Sequence, residues 1–261
     1  MTATPREGST GGAQSVGRAL TLLRLVADSR DPVTLAGLVA ARGLNRTTTW
    51  RLLAELESHG FVVRLRDGGF VLGPTAMLLG LTATRRFDPL VRVALPAMEL
   101  LREQTEETVI LSVPYGGGVM TVEQLDSPQT VRLRNYLYEV SPLAFSSPGR
   151  ALLASYPPED LTTVLTTAAL PEGATQADLA AFTAEIAQAR RDGYATVVED
   201  LAPGESGIAA AITVQGHVVG LLNVSGPSTR LSLERMRAVA PLLRDACARV
   251  SGALAEAGSG S

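Results

Sequence analysis

The sequence predicts an α+β protein with an N-terminal winged helix-turn-helix domain, a linker helix and a C-terminal mixed α/β domain. The first 73 residues contain three amphipathic helical segments followed by a hairpin around a glycine turn. The rest alternates helical segments with apolar strand-like runs, as in a mixed domain. The charged residues are distributed unevenly between these two parts of the chain. Residues 1–87 hold 11 arginines and six acidic residues, whereas residues 88–261 hold 12 arginines and 20 acidic residues. This asymmetry indicates an anionic partner for the first part; an ordinary solvated surface is the alternative.

The composition excludes several kinds of site. With 261 residues, 46% of them apolar, the chain has enough apolar material for a sizeable core. Its single cysteine, Cys247, excludes an internal disulfide and a cysteine-based zinc cage. The N-terminal residues lack the apolar core of a signal peptide, so the expected compartment is the cytoplasm. The uncharged run 206–229 contains turn residues, which favours two buried strands over a membrane span.

The DNA-binding domain is predicted over residues 15–74, after a flexible tail at 1–14 that is rich in glycine, serine and threonine. Ser15, Thr34 and Asn45 are the predicted N-caps of its helices, because their side-chain oxygens can accept from free helical N–H groups. The predicted elements are helices at 16–28, 35–41 and 46–58 and hairpin strands at 61–65 and 70–72.

The third predicted helix has one apolar and one polar face. At about 100° per residue its leucines share one side, while Thr47, Trp50 and Arg51 lie opposite. Arginine can bind guanine edges or phosphates, so this face is typical of a helix laid in the major groove. The alternative is a plain surface, with Trp50 packed on a neighbouring helix. The candidate DNA-binding residues are Arg18, Asn45, Arg46, Thr47, Thr48, Trp50, Arg51, Arg64 and Arg66.

A linker helix is predicted over residues 75–88, followed by the larger domain at 89–255 and a tail at 256–261. The apolar side chains of the linker helix are Met77, Leu78, Leu79 and Leu81. A broad apolar surface of this kind predicts a dimer or a tetramer. The larger domain is predicted to contain helices at 89–105, 150–155, 158–167, 177–192 and 232–255, strands at 108–113, 119–124, 131–137 and 194–199, and a hairpin at 208–225.

Enzyme motifs are incomplete in this sequence. The Gly-Glu-Ser-Gly run at 204–207 lacks the second glycine that a nucleophile elbow requires two residues after its serine. The three glycines at 116–118 lack the spacing of a dinucleotide-binding loop. We therefore expect no catalytic residue, cofactor or metal site. The alternatives to a DNA-binding regulator are an adaptor that binds protein through its winged helix and an enzyme with a winged-helix appendage.

Several segments resemble the IclR family of bacterial transcriptional regulators. The N-terminal domain of that family is similar to SVGRALTLLRLV, LAGLVAARGLNRTTTWRLLAELESHGFV and FVLGPTAMLLG. Its effector-binding domain is similar to ARRDGYATVVED, LAPGESGIAAAI and LLNVSGPSTRLS. The resemblance covers about residues 15–253. It implies a winged helix-turn-helix, a linker helix and a GAF-like domain that binds a small metabolite. It also implies a homodimer or dimer of dimers that binds double-stranded operator DNA as repressor or activator.

A loop at 146–149 precedes a predicted helix and offers hydroxyls and N–H groups to an anion, although an ordinary helix cap is the alternative. The resemblance favours a carboxylate effector there. The candidate effector-binding residues are Ser146, Ser147, Pro148, Gly149, Tyr136, Val197, Gly207, Asn223 and Ser225. Val197 and Gly207 stand where relatives that bind small keto acids often carry an acidic residue and a cysteine. We therefore expect an aromatic or largely apolar carboxylic acid, with Val197 as a wall and Gly207 making room, and control of a catabolic operon.

Overall fold

In the computed structural model, the described residues are 10–43, 45–158, 161, 164 and 175–259. They form two compact units, divided between Arg86 and Phe87. Residues 1–9 of the predicted tail, most of the predicted helix 158–167 and residues 260–261 lie outside the described part. The elements of the first unit are α1 (Thr10–Ala27), α2 (Leu35–Arg42), α3 (Arg46–Ser58), β1 (Val62–Arg64), β2 (Phe70–Leu72) and α4 (Pro74–Thr84).

The predicted three helices and hairpin are confirmed, and their local chemistry explains the boundaries. Thr34 Oγ1 accepts from the N–H of Gly37 at 3.1 Å and so caps α2. Gly43 ends α2 with φ of +61°, a left-handed conformation that glycine adopts without a steric penalty. The core of this unit is formed by the buried side chains Leu22, Val26, Leu38, Leu52, Leu53, Val62 and Phe70.

Two predicted boundaries in this unit are wrong. Helix α1 begins at Thr10, so residues 10–14 are helical although the sequence predicted a flexible tail. No proline interrupts this stretch, and each of its glycines costs a helix only about 1 kcal/mol. The linker helix ends at Thr84, and Arg85–Phe87 form a 3₁₀ turn before the next helix starts at Asp88. Pro89 has no N–H to donate to the carbonyl of Arg85, so a continuous α-helix would lack this hydrogen bond at the junction.

The second unit is a six-stranded antiparallel sheet with helices on both faces. Its strand order is β5-β4-β3-β8-β7-β6. The elements are α5 (Asp88–Thr105), β3 (Thr108–Tyr115), β4 (Gly118–Leu125), β5 (Val140–Pro142), α6 (Ser147–Ser155), α7 (Gln176–Asp192), β6 (Ala195–Val198), β7 (Glu205–Val214), β8 (His217–Pro227) and α8 (Leu233–Ser259). Side chains alternate along β7, so Ile208 belongs to the core under α5 and α8, and Ala209 to the core under α6 and α7. The α+β class predicted from sequence is confirmed.

The predicted strand at 131–137 is wrong, because the residues between β4 and β5 form an irregular segment. Its backbone groups find side-chain partners: the N–H of Tyr136 donates to Gln124 Oε1 at 3.0 Å, and that of Leu137 to Asn135 Oδ1 at 2.7 Å. These hydrogen bonds to side chains take the place of the backbone hydrogen bonds that a neighbouring strand would provide. The predicted tail at 256–261 is also wrong for its first four residues, because α8 continues to Ser259.

Candidate functional site

The first unit presents the N-terminus of α3 and the β1–β2 hairpin on one surface. The buried residues of α3 are Thr49, Leu52 and Leu53, and Arg46, Thr47 and Arg51 are exposed, as the helical periodicity predicted. A groove of about 1040 Å³, counting its open side, lies between the helix and the hairpin. The predicted DNA-binding residues that line this groove are Arg46, Thr47, Trp50 and Arg64.

Trp50 joins α3 to the hairpin. The Arg64 guanidinium lies 4.8 Å from the centre of the Trp50 ring, and Phe70 meets that ring edge-on at 6.4 Å. Trp50 nevertheless remains 40% exposed. Trp50 therefore packs on the hairpin rather than on a neighbouring helix, and part of its ring stays on the groove surface. This contact also fixes Arg64 beside α3.

The other predicted DNA-binding residues do not line this groove. Asn45 Oδ1 accepts from the N–H of Thr48 at 2.7 Å, so this oxygen is used to cap α3. Thr48 is half-buried. Arg18 lies on α1, and Arg66 is exposed on the hairpin turn. The arginines at 46, 51, 64 and 66 form no ion pair within the described part of the chain.

The second unit contains a pocket of about 480 Å³, counting its mouth, on the face of the sheet that carries α6. Of the predicted effector-binding residues, those that line it are Tyr136, Ser146, Ser147, Pro148, Val197, Gly207, Asn223 and Ser225. Gly149 does not line it: a Cβ there would lie 2.5 Å from the Leu143 backbone, so this glycine serves the packing of α6. The tertiary structure thus assembles eight of nine residues that come from distant parts of the sequence.

A polar cluster surrounds Gly207. The hydroxyls of Ser225 and Ser147 donate to Asn223 Oδ1 at 2.8 and 3.4 Å. A Cβ on Gly207 would lie 2.6 Å from Ser225 Oγ and 2.8 Å from Ser147 Oγ. The expectation that Gly207 makes room for an apolar ligand body is therefore wrong. The missing side chain instead allows these polar groups to approach one another, while the neighbouring Val197 supplies an apolar wall.

The N-terminus of α6 offers fewer N–H groups than the sequence predicted. Ser146 Oγ donates to the Pro142 carbonyl at 2.7 Å and accepts from the N–H of Gly149 at 3.2 Å. Pro148 has no N–H. Ser146 and Gly149 thus form an ordinary helix cap, and Ser147 is the residue that presents both an N–H and a hydroxyl at this end of the pocket.

Two further groups close another side of the pocket. The Tyr136 hydroxyl donates to Glu205 Oε2 at 2.6 Å. Burial, and then this hydrogen bond, raises the pKa of Tyr136 to about 12. Glu205 is the single charged side chain among the described residues that line the pocket. Sequence reasoning missed it, although strand alternation places Glu205 on the same face as Gly207 and could have indicated it. The same alternation turns Ser206 towards the other face.

Apolar side chains form the walls of the pocket. Ile110 and Leu133 pack together with Tyr136, and Leu201 lies at a more exposed position. Cys247 is buried, and burial raises the pKa of its thiol to about 12. Within the described ranges, no group of side chains is suited to hold a metal ion, and no helix is long and apolar enough to cross a membrane.

Comparison with known proteins gives consistent matches over both units. The model for the IclR helix-turn-helix domain matches residues 15–66, and the model for the C-terminal domain of bacterial transcriptional regulator IclR matches residues 83–252. The transcriptional regulator BhcR of Paracoccus denitrificans is 32% identical over 94% of this chain and 89% of its own. The transcriptional repressor AllR of Escherichia coli K12 is 30% identical over 93% of this chain and 91% of its own. The crystal structure of an IclR homologue from Microbacterium hydrocarbonoxydans, in complex with 4-hydroxybenzoate, matches 91% of this chain and 98% of its own. The sequence identity is 26% and the TM-score is 0.72.

Proposed function

The chain belongs to the IclR family of bacterial transcriptional regulators, and on that premise we propose that it binds operator DNA through the α3 groove under the control of a small carboxylic acid. Its relatives are named transcriptional regulators, so the protein is a regulator and not an enzyme. The observation that carries the effector part of this proposal is the pocket of the second unit, with its polar cluster at Gly207.

The α3 groove supports DNA binding through its geometry and charge. The N-terminus of a helix favours phosphate oxygens, and the exposed Arg46 and Thr47 occupy the first turn of α3. Arg51 is exposed one turn further along α3, within reach of base edges when the helix lies in the major groove. Arg64, held over Trp50, adds a positive charge from the hairpin. We assign base contacts to Arg51 and phosphate contacts to Arg46 and Arg64.

Fluorescence anisotropy with labelled DNA from upstream of the adjacent operon tests this assignment. We expect Arg51→Ala to weaken specific binding by about 1–3 kcal/mol. Arg64→Ala should weaken specific and non-specific DNA alike and reduce the salt slope by about 1. The matched control is Arg235→Ala, an exposed arginine on α8, which should leave binding unchanged. Binding that is absent or insensitive to salt would instead favour a protein-binding adaptor.

The pocket supports a carboxylic acid with an apolar body. The N–H of Ser147 can donate to a carboxylate, and the hydroxyls of Ser147 and Ser225 can donate to it in place of Asn223 Oδ1. Val197 and Ile110 can contact a ring. An acid bound in the related Microbacterium protein supports this ligand class. Titration calorimetry should show benzoate binding more tightly than pyruvate, and Ser225→Ala should weaken benzoate binding by about 0.5–1.5 kcal/mol. Tight binding of pyruvate without benzoate would contradict the proposed class.

The first unit also supports self-association. The apolar side chains of α4 are 53–69% exposed; they are Met77, Leu78, Leu79 and Leu81. We propose that this surface is covered by a second copy of the chain in a dimer or a dimer of dimers, which would present two α3 helices to a palindromic operator. Light scattering that gave the mass of one chain, 27.3 kDa, across micromolar concentrations would contradict this. The controlled genes are proposed to form an adjacent catabolic operon.

A further inference from the structure

The groove between α3 and the hairpin contains one exposed large apolar side chain among its described lining residues, that of Trp50. Its indole N–H forms no hydrogen bond within the described part of the chain. Apolar surface in a binding groove contributes to affinity when a partner removes it from water. The partner of this groove is therefore expected to offer an apolar group to Trp50.

The ring of Trp50 is held in place by the hairpin before a partner binds. Phe70, which meets the ring edge-on, is 2% exposed and belongs to the core of the first unit. The Arg64 guanidinium lies 4.8 Å from the ring centre. A side chain that is already ordered loses little conformational entropy on binding. Trp50 can therefore contribute to recognition at a small entropic cost.

The position of Trp50 on α3 directs it towards base edges. At about 100° per residue, Trp50 lies about 60° to one side of Thr47, and Arg51 lies about 40° to the other side. All three side chains are exposed. When α3 lies in the major groove, Trp50 and Arg51 therefore face different base pairs, and Trp50 is the residue on the side of the hairpin.

The charges around Trp50 are those of a DNA-binding groove. Arg46 and Arg64 line it, and the acidic residue among its described lining residues is Asp67. Asp67 Oδ1 accepts from the N–H of Gly69 at 2.9 Å, within the hairpin turn. In the major groove of DNA, the apolar group on the base edges is the C5-methyl group of thymine, and the O4 acceptor lies beside it. Thymine thus matches an apolar ring that carries a free N–H.

On the basis of the proposed DNA binding, we propose that Trp50 determines specificity for a thymine in each operator half-site. The indole contacts the C5-methyl group of this thymine. Arg64 holds the ring in the groove and binds phosphate, so it contributes affinity without distinguishing bases. The alternative is that Trp50 acts only by positioning Arg64, in which case its loss weakens binding to all sequences alike.

Replacement of each operator thymine in turn by uracil tests this inference, because uracil lacks only the C5-methyl group. In anisotropy measurements with the full chain, one such replacement in each half-site should weaken binding by about threefold to tenfold, as expected for one buried methyl group. With Trp50→Ala the same replacement should have about a onefold effect, although overall affinity is lower. Arg51→Ala is the matched control, since it also lowers affinity but should keep the preference for thymine over uracil.

Tryptophan fluorescence gives a second test on the unmodified protein, which does not depend on the folding of a variant. Trp50 is the single tryptophan of the chain. Acrylamide should quench its fluorescence less strongly in the operator complex than in the free protein, because the bound DNA covers the exposed part of the ring. Quenching that is unchanged by the operator would show that the ring stays in solvent and would overturn the inference.

The outcomes separate this inference from the proposed function. Salt-dependent operator binding that no uracil replacement weakens would overturn the role of Trp50 and leave DNA binding standing. A uracil effect that persists in Trp50→Ala would assign the methyl contact to another residue and would also overturn the inference. Failure of the parent protein to bind DNA would overturn both the inference and the proposed function.

Discussion

Gly207→Ala directly tests the role assigned to this glycine. The added Cβ would lie 2.6 Å from Ser225 Oγ, 2.8 Å from Ser147 Oγ and 3.3 Å from Asn223 Oδ1. Because these three groups are buried and bonded to one another, moving one breaks a bond of another. Overpacking of this kind costs about 1–3 kcal/mol. The loss of glycine's flexibility in the unfolded chain returns about 0.4–1 kcal/mol, so the net destabilisation should be about 0.5–2 kcal/mol.

Thermal unfolding can assign this loss to the correct unit. The single tryptophan is in the first unit and all five tyrosines are in the second, so near-ultraviolet dichroism of tyrosine reports on the unit that contains Gly207. For a unit of this size, each kcal/mol of lost stability lowers the midpoint temperature of unfolding by about 2–4 °C, so the Tm of the tyrosine transition should fall by about 1–8 °C. The Trp50 fluorescence transition should stay unchanged if the two units unfold independently. Effector binding should weaken as well, because the cluster is disturbed.

A control and a compensating variant complete this test. Gly117→Ala introduces a Cβ with no atom within 4 Å and should leave the tyrosine transition unchanged or slightly raised. Gly207→Ala combined with Ser225→Ala removes the closest contact and should recover part of the lost stability. If Gly207→Ala is as stable as the parent, or if Ser225→Ala adds its own loss without compensation, then crowding at Gly207 is not what the cluster depends on.

Three further predictions follow from other contacts. Trp50→Ala removes the ring under Arg64 and beside Phe70, so it should lower the stability of the first unit by about 1–2.5 kcal/mol and weaken DNA binding. Trp50→Phe should recover most of the stability, measured by dichroism, and most of the DNA affinity, measured by anisotropy. The raised pKa of Tyr136 means that the unfolded chain loses this proton first, so the stability it contributes is complete below about pH 10 and declines towards about pH 12. Urea unfolding of Tyr136→Phe over this range should lack that decline, and an identical pH slope in both proteins would contradict it. The Arg230 guanidinium donates two hydrogen bonds, at 2.7 and 2.8 Å, to the Glu107 carboxylate, whose side chain is 7% exposed. Arg230→Ala leaves this buried carboxylate without its partner and should lower the free energy of unfolding in urea by about 3 kcal/mol. Glu107→Gln should lower it by less.

Local patterns in the sequence predicted most of the first unit, because its helices are fixed by near neighbours. The cap at Asn45, the glycine at Gly43 and the leucine face of α3 each act within a few residues, and their outcome agrees with the prediction. The strand predicted at 131–137 failed for the opposite reason. Its alternating apolar pattern was real, but side chains of Gln124 and Asn135 took the backbone N–H groups that a neighbouring strand would need.

The sequence by itself determined the α+β class, the basic helix-turn-helix and the family, since periodicity, charge and residue types are properties of the chain in order. The tertiary structure decided what the pocket residues do. Gly207 looked like added space, yet the register of β7 with β8 places Ser225 beside it, and α6 brings Ser147 to the same point. Contacts between residues far apart in sequence depend on register and packing, which no local pattern specifies.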